Sequence, residues 1–377
     1  MGSNQHGDVL NAYIGTPLEH IEVIFPLKRQ AGAREPAEKN LWNYFQDEKE
    51  ESDFGFIRIV DDPAHADCFL APHNYFALKK TLGQSAAAMY LSTFVTLSQT
   101  YKKNILLFAM ADSDEDIDVP NSIVFRFSQY GYKKKKNEIL MPFYQSPSIS
   151  EQSMGYRQEI WKEISLRRKG EKPTISFCGW AGFPNAYRRM TFAARIILED
   201  VKKRILRDPR ADLRKPGIYF RRKAMAALRG STRIRTNFIV RKSYSAQRGS
   251  DGSRKIQPEE AEREYIRSML QSDFVLAPKG HGNGSVRFYE ALSLGRFPVL
   301  INTDCVLPLA NMIDYDKFAV SVEYTDIPSI ERRILEFYDA LDDEEFEARQ
   351  KMARAAFDAL RPGNFLRAHL FGSASLI

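Results

Sequence analysis

QSDFVLAPKGHGNGSVRFYEALSLGRFPVLI, residues 271–301, reads as strand, loop, helix and strand in one consistent order. Phe274 to Ala277 is a short continuous apolar run, the pattern of a parallel strand covered on both faces, and Pro278 stops it. Lys279, Gly280, His281, Gly282, Asn283 and Gly284 form a loop with glycine at every second position. That spacing permits positive φ and lets bare backbone approach a bound group. Ser285 stands where an N-cap belongs. A helix is expected from Val286 to about Leu294, with Phe288, Ala291 and Leu292 inward and Gly295 as its stop. Pro298 to Ile301 then makes the next strand.

A glycine loop feeding a helix N-terminus is an anion site, because unpaired N–H groups and the positive end of the helix dipole point outward together. Arg287 adds a fork suited to phosphate oxygens, and Glu290, three residues on, is placed to accept from ribose hydroxyls. The glycines match neither the phosphate-loop pattern nor the dinucleotide fingerprint. An ordinary glycine-rich connection with an Arg287/Glu290 surface pair is the competing reading.

The motifs of this stretch, Ser272-Asp273-Phe274, Pro278-Lys279-Gly280, Ser285-Val286-Arg287, Glu290-Ala291, Gly295-Arg296-Phe297-Pro298-Val299 and Leu307-Pro308, resemble the signature of the exostosin glycosyltransferases. Ile313-Asp314-Tyr315 and Phe318 to Val322 continue the likeness. A second segment, Asp61-Asp62-Pro63 through Ala66-Asp67 to Phe69-Leu70-Ala71-Pro72-His73-Asn74-Tyr75, is similar to another part of that family, with one extra residue between Pro72 and Tyr75. A third, Phe177-Cys178-Gly179, has cysteine where the family usually has arginine. That departure shifts the expected phosphate contacts toward Arg188 or Arg189.

Composition bounds the rest. A chain of 377 residues exceeds what one core usually serves, so two domains are expected. With 44% hydrophobic and 27% charged residues it is ordinary globular material. Three cysteines, Cys68, Cys178 and Cys305, lie far apart without a CxxC pair, which suggests neither a disulfide framework nor a zinc site. No apolar stretch approaches the roughly 20 residues needed to span a bilayer, and no signal pattern opens the chain, so a cytoplasmic protein is expected. This departs from the anchored animal exostosins and favours a bacterial relative. The net charge of +7 is carried by runs at Lys133–Lys136, Arg221–Lys223 and Arg233–Arg241. Such runs are commonly solvated faces. A polyanionic acceptor, an anionic membrane touched peripherally and a nucleotide donor are the functional alternatives.

Along the chain, residues 1–20 read as a loosely held end and Ile21–Phe25 as the first strand. Asn40–Lys49 is helical in character, and Phe56–Val60 and Cys68–Ala71 are strands. Gln84–Tyr101 is a helix, followed by strands at Asn104–Met110 and Ile123–Phe127, the lysine run and the segment Ile139–Pro142. His73 and Asp112 fall at carboxyl ends of strands, where open α/β sheets bind ligands. A turn-packed histidine and an acidic cap are the plain alternatives. A short helix near Gln158–Arg168 marks the domain boundary. Thr174–Gly182 opens the second domain as a strand and a turn bearing Gly179 and Gly182. Ala186–Leu206 is a helix, Phe238–Val240 a strand ending at Arg241 and Lys242, and Glu259–Leu270, Ile327–Asp339 and Asp343–Leu360 are helices.

The expected fold is α/β, two doubly wound Rossmann-like domains facing a cleft, which the resemblance identifies with the GT-B type. Residues 1–165 would bind the acceptor, 170–345 the nucleotide-sugar, and 346–377 would form helices that pack back on the first domain. The resemblance implies an inverting transferase that moves sugar from a UDP- or GDP-linked donor to a glycan or glycolipid in surface polysaccharide synthesis. No Asp-x-Asp site stands out in the second half, in keeping with a metal-free mechanism without a further cofactor. Gly179, Gly182, Arg241, Lys279, Gly280, Gly282, Asn283, Gly284, Ser285, Arg287 and Glu290 are the candidate donor contacts. Arg287 would stabilise the leaving group, and Asp112 or His73 would be the general base. A nucleotide-sugar epimerase on the same fold and a non-catalytic polyanion binder are the alternatives. The basic runs carry no recognisable nucleic-acid motif, so no nucleic-acid partner is expected.

Overall fold

The computed structural model describes residues 9–24, 54–143, 165–242 and 258–372. The chain divides into two compact units. One comprises Met1–Gln145, Val306–Leu309 and Ala359–Ile377, the other Ser146–Cys305 and Ala310–Asp358.

The first unit is built on six strands: β1 (Leu10–Tyr13), β2 (Ile57–Ile59), β3 (Cys68–Leu70), β4 (Ile105–Ala109), β5 (Ser122–Arg126) and β6 (Glu138–Leu140). They lie in the order β2-β1-β3-β4-β5-β6, all parallel. β4 and β5 are buried along their whole length, as their unbroken apolar runs require of a sheet covered on both faces. Helices α1 (Tyr75–Leu82) and α2 (Gln84–Tyr101) cover one face, packing Leu78, Ala87 and Leu91 against Leu107, Ala109 and Val124.

The amino terminus departs from the expected strand pattern. Ile21–Phe25 is not a strand of the sheet; of its described residues only Val23 pairs, by a lone antiparallel bridge to His73. The strand lies earlier, at Leu10–Tyr13, inside the stretch read as a loose end. Its sequence, LNAY, is too short and too polar to announce a strand. It is fixed from outside, by the Asp67 carboxylate accepting from Asn11 N–H at 2.8 Å and the Asp67 N–H donating to Asn11 C=O at 2.7 Å. The helix expected at Asn40–Lys49 and most of that at Gln158–Arg168 lie outside the described residues.

The second unit carries β7 (Thr174–Trp180), β8 (Arg235–Arg241), β9 (Phe274–Ala277), β10 (Phe297–Asn302) and β11 (Val320–Glu323). Their order is β11-β10-β9-β7-β8, again all parallel. The helices are α3 (Ala186–Ile205), α4 (Gly217–Leu228), α5 (Pro258–Leu270), α6 (Val286–Ser293), α7 (Ile330–Asp339) and α8 (Asp343–Ala359). α4 is the element that the basic run Arg221–Lys223 conceals. Behind β9, α5 and α6 close a core of Ile266, Met269, Val275, Ala291 and Leu294.

Several signature residues of the 271–301 stretch are structural. The Asp273 carboxylate accepts from Thr174 N–H at 2.8 Å and from Arg167 Nε at 2.7 Å, tying the start of β9 to β7. Arg296, 2% exposed, donates to the carbonyls of Leu294, Leu270 and Ser165 and pins the turn from α6 into β10.

The last helix, α9 (Pro362–Phe371), belongs to the first unit, where Phe365 and Phe371 meet Phe125 and Phe56 edge-on. Among the described residues no helix is long and apolar enough to cross a membrane.

Candidate functional site

In the second unit the chain lays β8 beside β7 in one direction, then crosses over and adds β9, β10 and β11 in the other. The loops leaving β7 and β9 therefore diverge, and a crevice opens at their carboxyl ends, the place where doubly wound sheets take ligands. The β7 end supplies Cys178, Gly179, Trp180, Ala181 and Gly182. The β9 end supplies the glycine loop and the start of α6.

Arg287, in the first turn of α6, reaches across this crevice. Its Nη2 donates to the Cys178 carbonyl at 2.9 Å. Its guanidinium lies 4.5 Å from the centroid of the Phe177 ring and 5.6 Å from that of Tyr265. Gly179 makes this path possible: a Cβ there would stand 2.3 Å from Arg287 Nη2, and its φ of +152° is one that side chains disfavour. The Nε of Arg287 is buried and has no hydrogen-bond partner among the described residues. A buried guanidinium donor without a protein acceptor among the described residues fits an anionic ligand.

Tyr265, on α5, stands between Arg287 and Glu290. Its hydroxyl donates to Glu290 Oε2, and its ring faces the Arg287 cation. Burial, joined by the Glu290 charge, pushes its phenol well above the ordinary range. It is therefore a neutral donor. Nothing in sequence marks Tyr265, which lies more than twenty positions before Arg287 on a different helix.

The glycine loop does not work as its spacing suggests. Gly280, Gly282 and Gly284 all avoid positive φ, and the loop closes on itself through Gly280 N–H to Gly284 C=O at 2.7 Å. The close backbone approach is made instead at Gly217, the first residue of α4, where a Cβ would lie 2.3 Å from the Lys279 carbonyl and 2.4 Å from that of Gly280. Lys279 is 2% exposed, its ammonium turned inward to the Leu213 carbonyl and over the Phe220 ring. Asn283 likewise ties the loop to the end of β10, donating to Asp304 C=O at 2.9 Å and accepting from the Thr303 hydroxyl at 2.6 Å. Ser285 occupies the N-cap position of α6, but its side chain caps no N–H group. Gly282 and Ser285 are buried, Gly284 is half-buried, and His281 is exposed with its ring near that of Trp180.

Arg241 ends β8 bonded to the Ala261 carbonyl at 2.7 Å and the Glu264 carboxylate at 2.9 Å. Beside it, the Gly182 N–H donates to Arg241 C=O at 3.0 Å. The run Arg221–Lys223 divides by role. Arg221 is buried and bridges the crevice loops, donating to Trp180 C=O at 2.9 Å and Lys279 C=O at 3.3 Å; Arg222 holds Ala181 C=O at 3.1 Å. Those two arginines shape the loops from below. Burial raises the Cys178 thiol to about 11, so no thiolate competes with an incoming anion.

Residues 208–337 match the family model of the exostosin GT47 domain. Its relatives include a probable glycosyltransferase of Arabidopsis thaliana, 37% identical over 73 residues that make 19% of this chain and 16% of the relative. A probable glucuronosyltransferase of Oryza sativa is 39% identical over 67 residues, 18% of this chain and 15% of its own length. The Exostosin-1 homolog of Caenorhabditis elegans is 39% identical over 67 residues, 18% of each chain. Each match thus spans less than a fifth of the relative. Among solved structures, the chain is similar to TarM at 10% identity and a TM-score of 0.29, over 67% of this chain and 51% of that one. Strand order, not that likeness, defines the fold. The matched residues include Arg287, Glu290, Gly217, Tyr265 and the whole glycine loop.

The remaining two candidates belong to the first unit, at the corresponding edge of its sheet. His73 is 1% exposed. Its Nε2 accepts from Leu18 N–H at 2.8 Å, which assigns the proton to Nδ1, facing the Glu22 carbonyl at 3.2 Å. Both nitrogens are thus occupied by backbone, and burial lowers the ring's basicity. The structure corrects its reading as a base: His73 clamps the 18–22 segment. Asp112 is exposed after the end of β4. Its loop is held by Arg126, fully buried at the end of β5, whose Nη2 donates to Ser113 C=O at 2.8 Å and Glu115 C=O at 3.1 Å. Asn74 caps α1 and exchanges two hydrogen bonds with Met110, at 3.0 and 3.1 Å, so that β3 and β4 end in register.

Proposed function

We propose that this protein is an inverting, metal-independent glycosyltransferase that moves a sugar from a UDP- or GDP-linked donor to a glycan or glycolipid hydroxyl in polysaccharide synthesis. The donor diphosphate lies at the crevice between the ends of β7 and β9. The observation that carries this reading is Arg287: a guanidinium stacked on Phe177, passing over Gly179, with a buried Nε that lacks a partner among the described residues.

In the reaction, the acceptor oxygen attacks the anomeric carbon as the bond to the diphosphate breaks and its electron pair leaves with the phosphate. Arg287 and the first-turn N–H groups of α6 neutralise that charge as it forms. The acceptor proton passes to a base, and Asp112, on a loop braced by Arg126, is the residue we assign. Glu290, oriented by Tyr265, is assigned to the donor ribose. Acceptor recognition is assigned to the first unit.

The test is product analysis with radiolabelled UDP- and GDP-sugars, including hexuronates because of the rice relative's name. Transfer to an acceptor that persists in EDTA is expected. Arg287→Ala should lower turnover by about 10²–10³ in a protein of unchanged circular dichroism, and Arg287→Lys should not restore it, since lysine lacks the planar fork. Isomerised donor without transfer would point to an epimerase and end this reading.

A further inference from the structure

Helix α3, twenty residues from Ala186 to Ile205, has an unusual relation to its domain. One side packs inward: Phe192 meets Phe183 at 4.9 Å, and the buried Glu199 carboxylate is held by Lys202 at 2.8 Å and Arg214 at 3.4 Å. The opposite side carries Tyr187, Met190, Ile197, Leu198, Val201 and Ile205, exposed by 70, 69, 61, 52, 42 and 74% respectively. At about 100° per residue these six fall within one arc of roughly 100°. A stripe of that width on a globular helix ordinarily faces a core. Here it faces solvent.

Cations border the stripe. Arg204 stands beside one edge of it and Arg195 beyond the other, while Arg188 and Arg189 lie further round, about 130° from its centre. All four are exposed and form no ion pair among the described residues. The only acids of the helix, Glu199 and Asp200, are already engaged, Asp200 by Lys215 at 2.7 Å. We propose that α3 docks on an anionic lipid bilayer, lying in the interfacial plane with the apolar stripe inserted and the arginines among the headgroups. An apolar stripe with basic borders on a long helix is the arrangement that interface requires. A second copy of this chain would suit the stripe but not its borders, because pairing two such faces brings Arg195 and Arg204 of both copies together without counter-charge. The proposal stands apart from the donor reading, since lipid binding requires no turnover.

The test is co-sedimentation of the full chain with phosphatidylcholine vesicles and with vesicles containing phosphatidylglycerol. Pelleting with the anionic vesicles at low salt, and release as salt rises, is expected. Ile197→Ser/Val201→Ser should weaken partitioning by about tenfold, and Arg195→Gln/Arg204→Gln by about tenfold or more, with melting temperatures unchanged because every altered side chain is exposed. Wild-type protein left in the supernatant with anionic vesicles, or pelleting untouched by both variants, would overturn the proposal. So would a dimer in lipid-free buffer that Ile197→Ser/Val201→Ser dissociates, which would make the face a contact between copies.

Discussion

Gly179 and Arg287 are 108 positions apart and act as one device. The side chain missing at one makes room for the guanidinium of the other, and Cys178 C=O fixes its orientation. Gly179→Ala is therefore expected to act on function more than on folding. The flexible guanidinium can move aside, while the backbone carries a strain of about 1–3 kcal/mol. Turnover should fall toward that of Arg287→Ala, with only a modest drop in melting temperature; a Gly179→Ala enzyme with wild-type kcat/KM would show that Arg287 does not need this path. The resemblance pointed to Gly179 and Arg287 separately. Their contact was not legible, because each lies on its own strand–helix unit and only the parallel pairing of β7 with β9 brings them together.

At the scale of elements, β5 and β6 meet through a buried ion pair, Arg126 Nη1 to Glu138 Oε1 at 2.5 Å, with both side chains fully enclosed. Arg126 reads in sequence as a polar interruption in the apolar run Ile123–Phe127. In the fold it carries the Asp112 loop. Arg126→Met leaves the buried Glu138 without its partner cation, at a cost of about 3–5 kcal/mol, measurable by urea unfolding. Arg126→Met/Glu138→Leu should recover most of that stability. Turnover should stay low in both, because the Ser113 and Glu115 carbonyls lose their donor in either case; full activity in the double variant would detach the loop from the chemistry. The neighbouring lysine run is partly spent on the same loop. Lys133 pairs with Asp114 at 2.9 Å and Lys135 donates to Ile117 C=O at 3.0 Å. Here the basic stretch braces the fold, which charge counting could not reveal.

Across the whole molecule, the first unit is completed by the end of the chain. His369 of α9 lies against Phe125 and Phe365, with Nε2 buried and without a hydrogen-bond partner among the described residues. Burial and the nearby Lys134 lower its pKa to about 4, and burial lowers that of His73 as well. A histidine depressed in the folded state stays neutral there while the unfolded chain takes up a proton, so stability is full above about pH 6.5 and declines as pH falls toward about 4. Melting temperature should drop across that window, and His369→Phe, which keeps the ring and removes the titration, should make the drop shallower. An equally steep acid loss in His369→Phe would assign the effect elsewhere.

From the sequence alone came the two parallel α/β units, the strand–loop–helix–strand unit at 271–301 and the exostosin character of that stretch, because apolar runs, glycine stops and local motifs are written within a few residues of one another. Tertiary structure alone decided that Leu10–Tyr13 is a strand, that the tight backbone approach falls on Gly217 and not on the loop's own glycines, and that Lys279 and His73 serve the scaffold. It also decided that Tyr265 joins Arg287 to Glu290 and that the apolar side of α3 faces outward. Each of these depends on what a distant segment places beside the residue, a pairing that local periodicity does not encode.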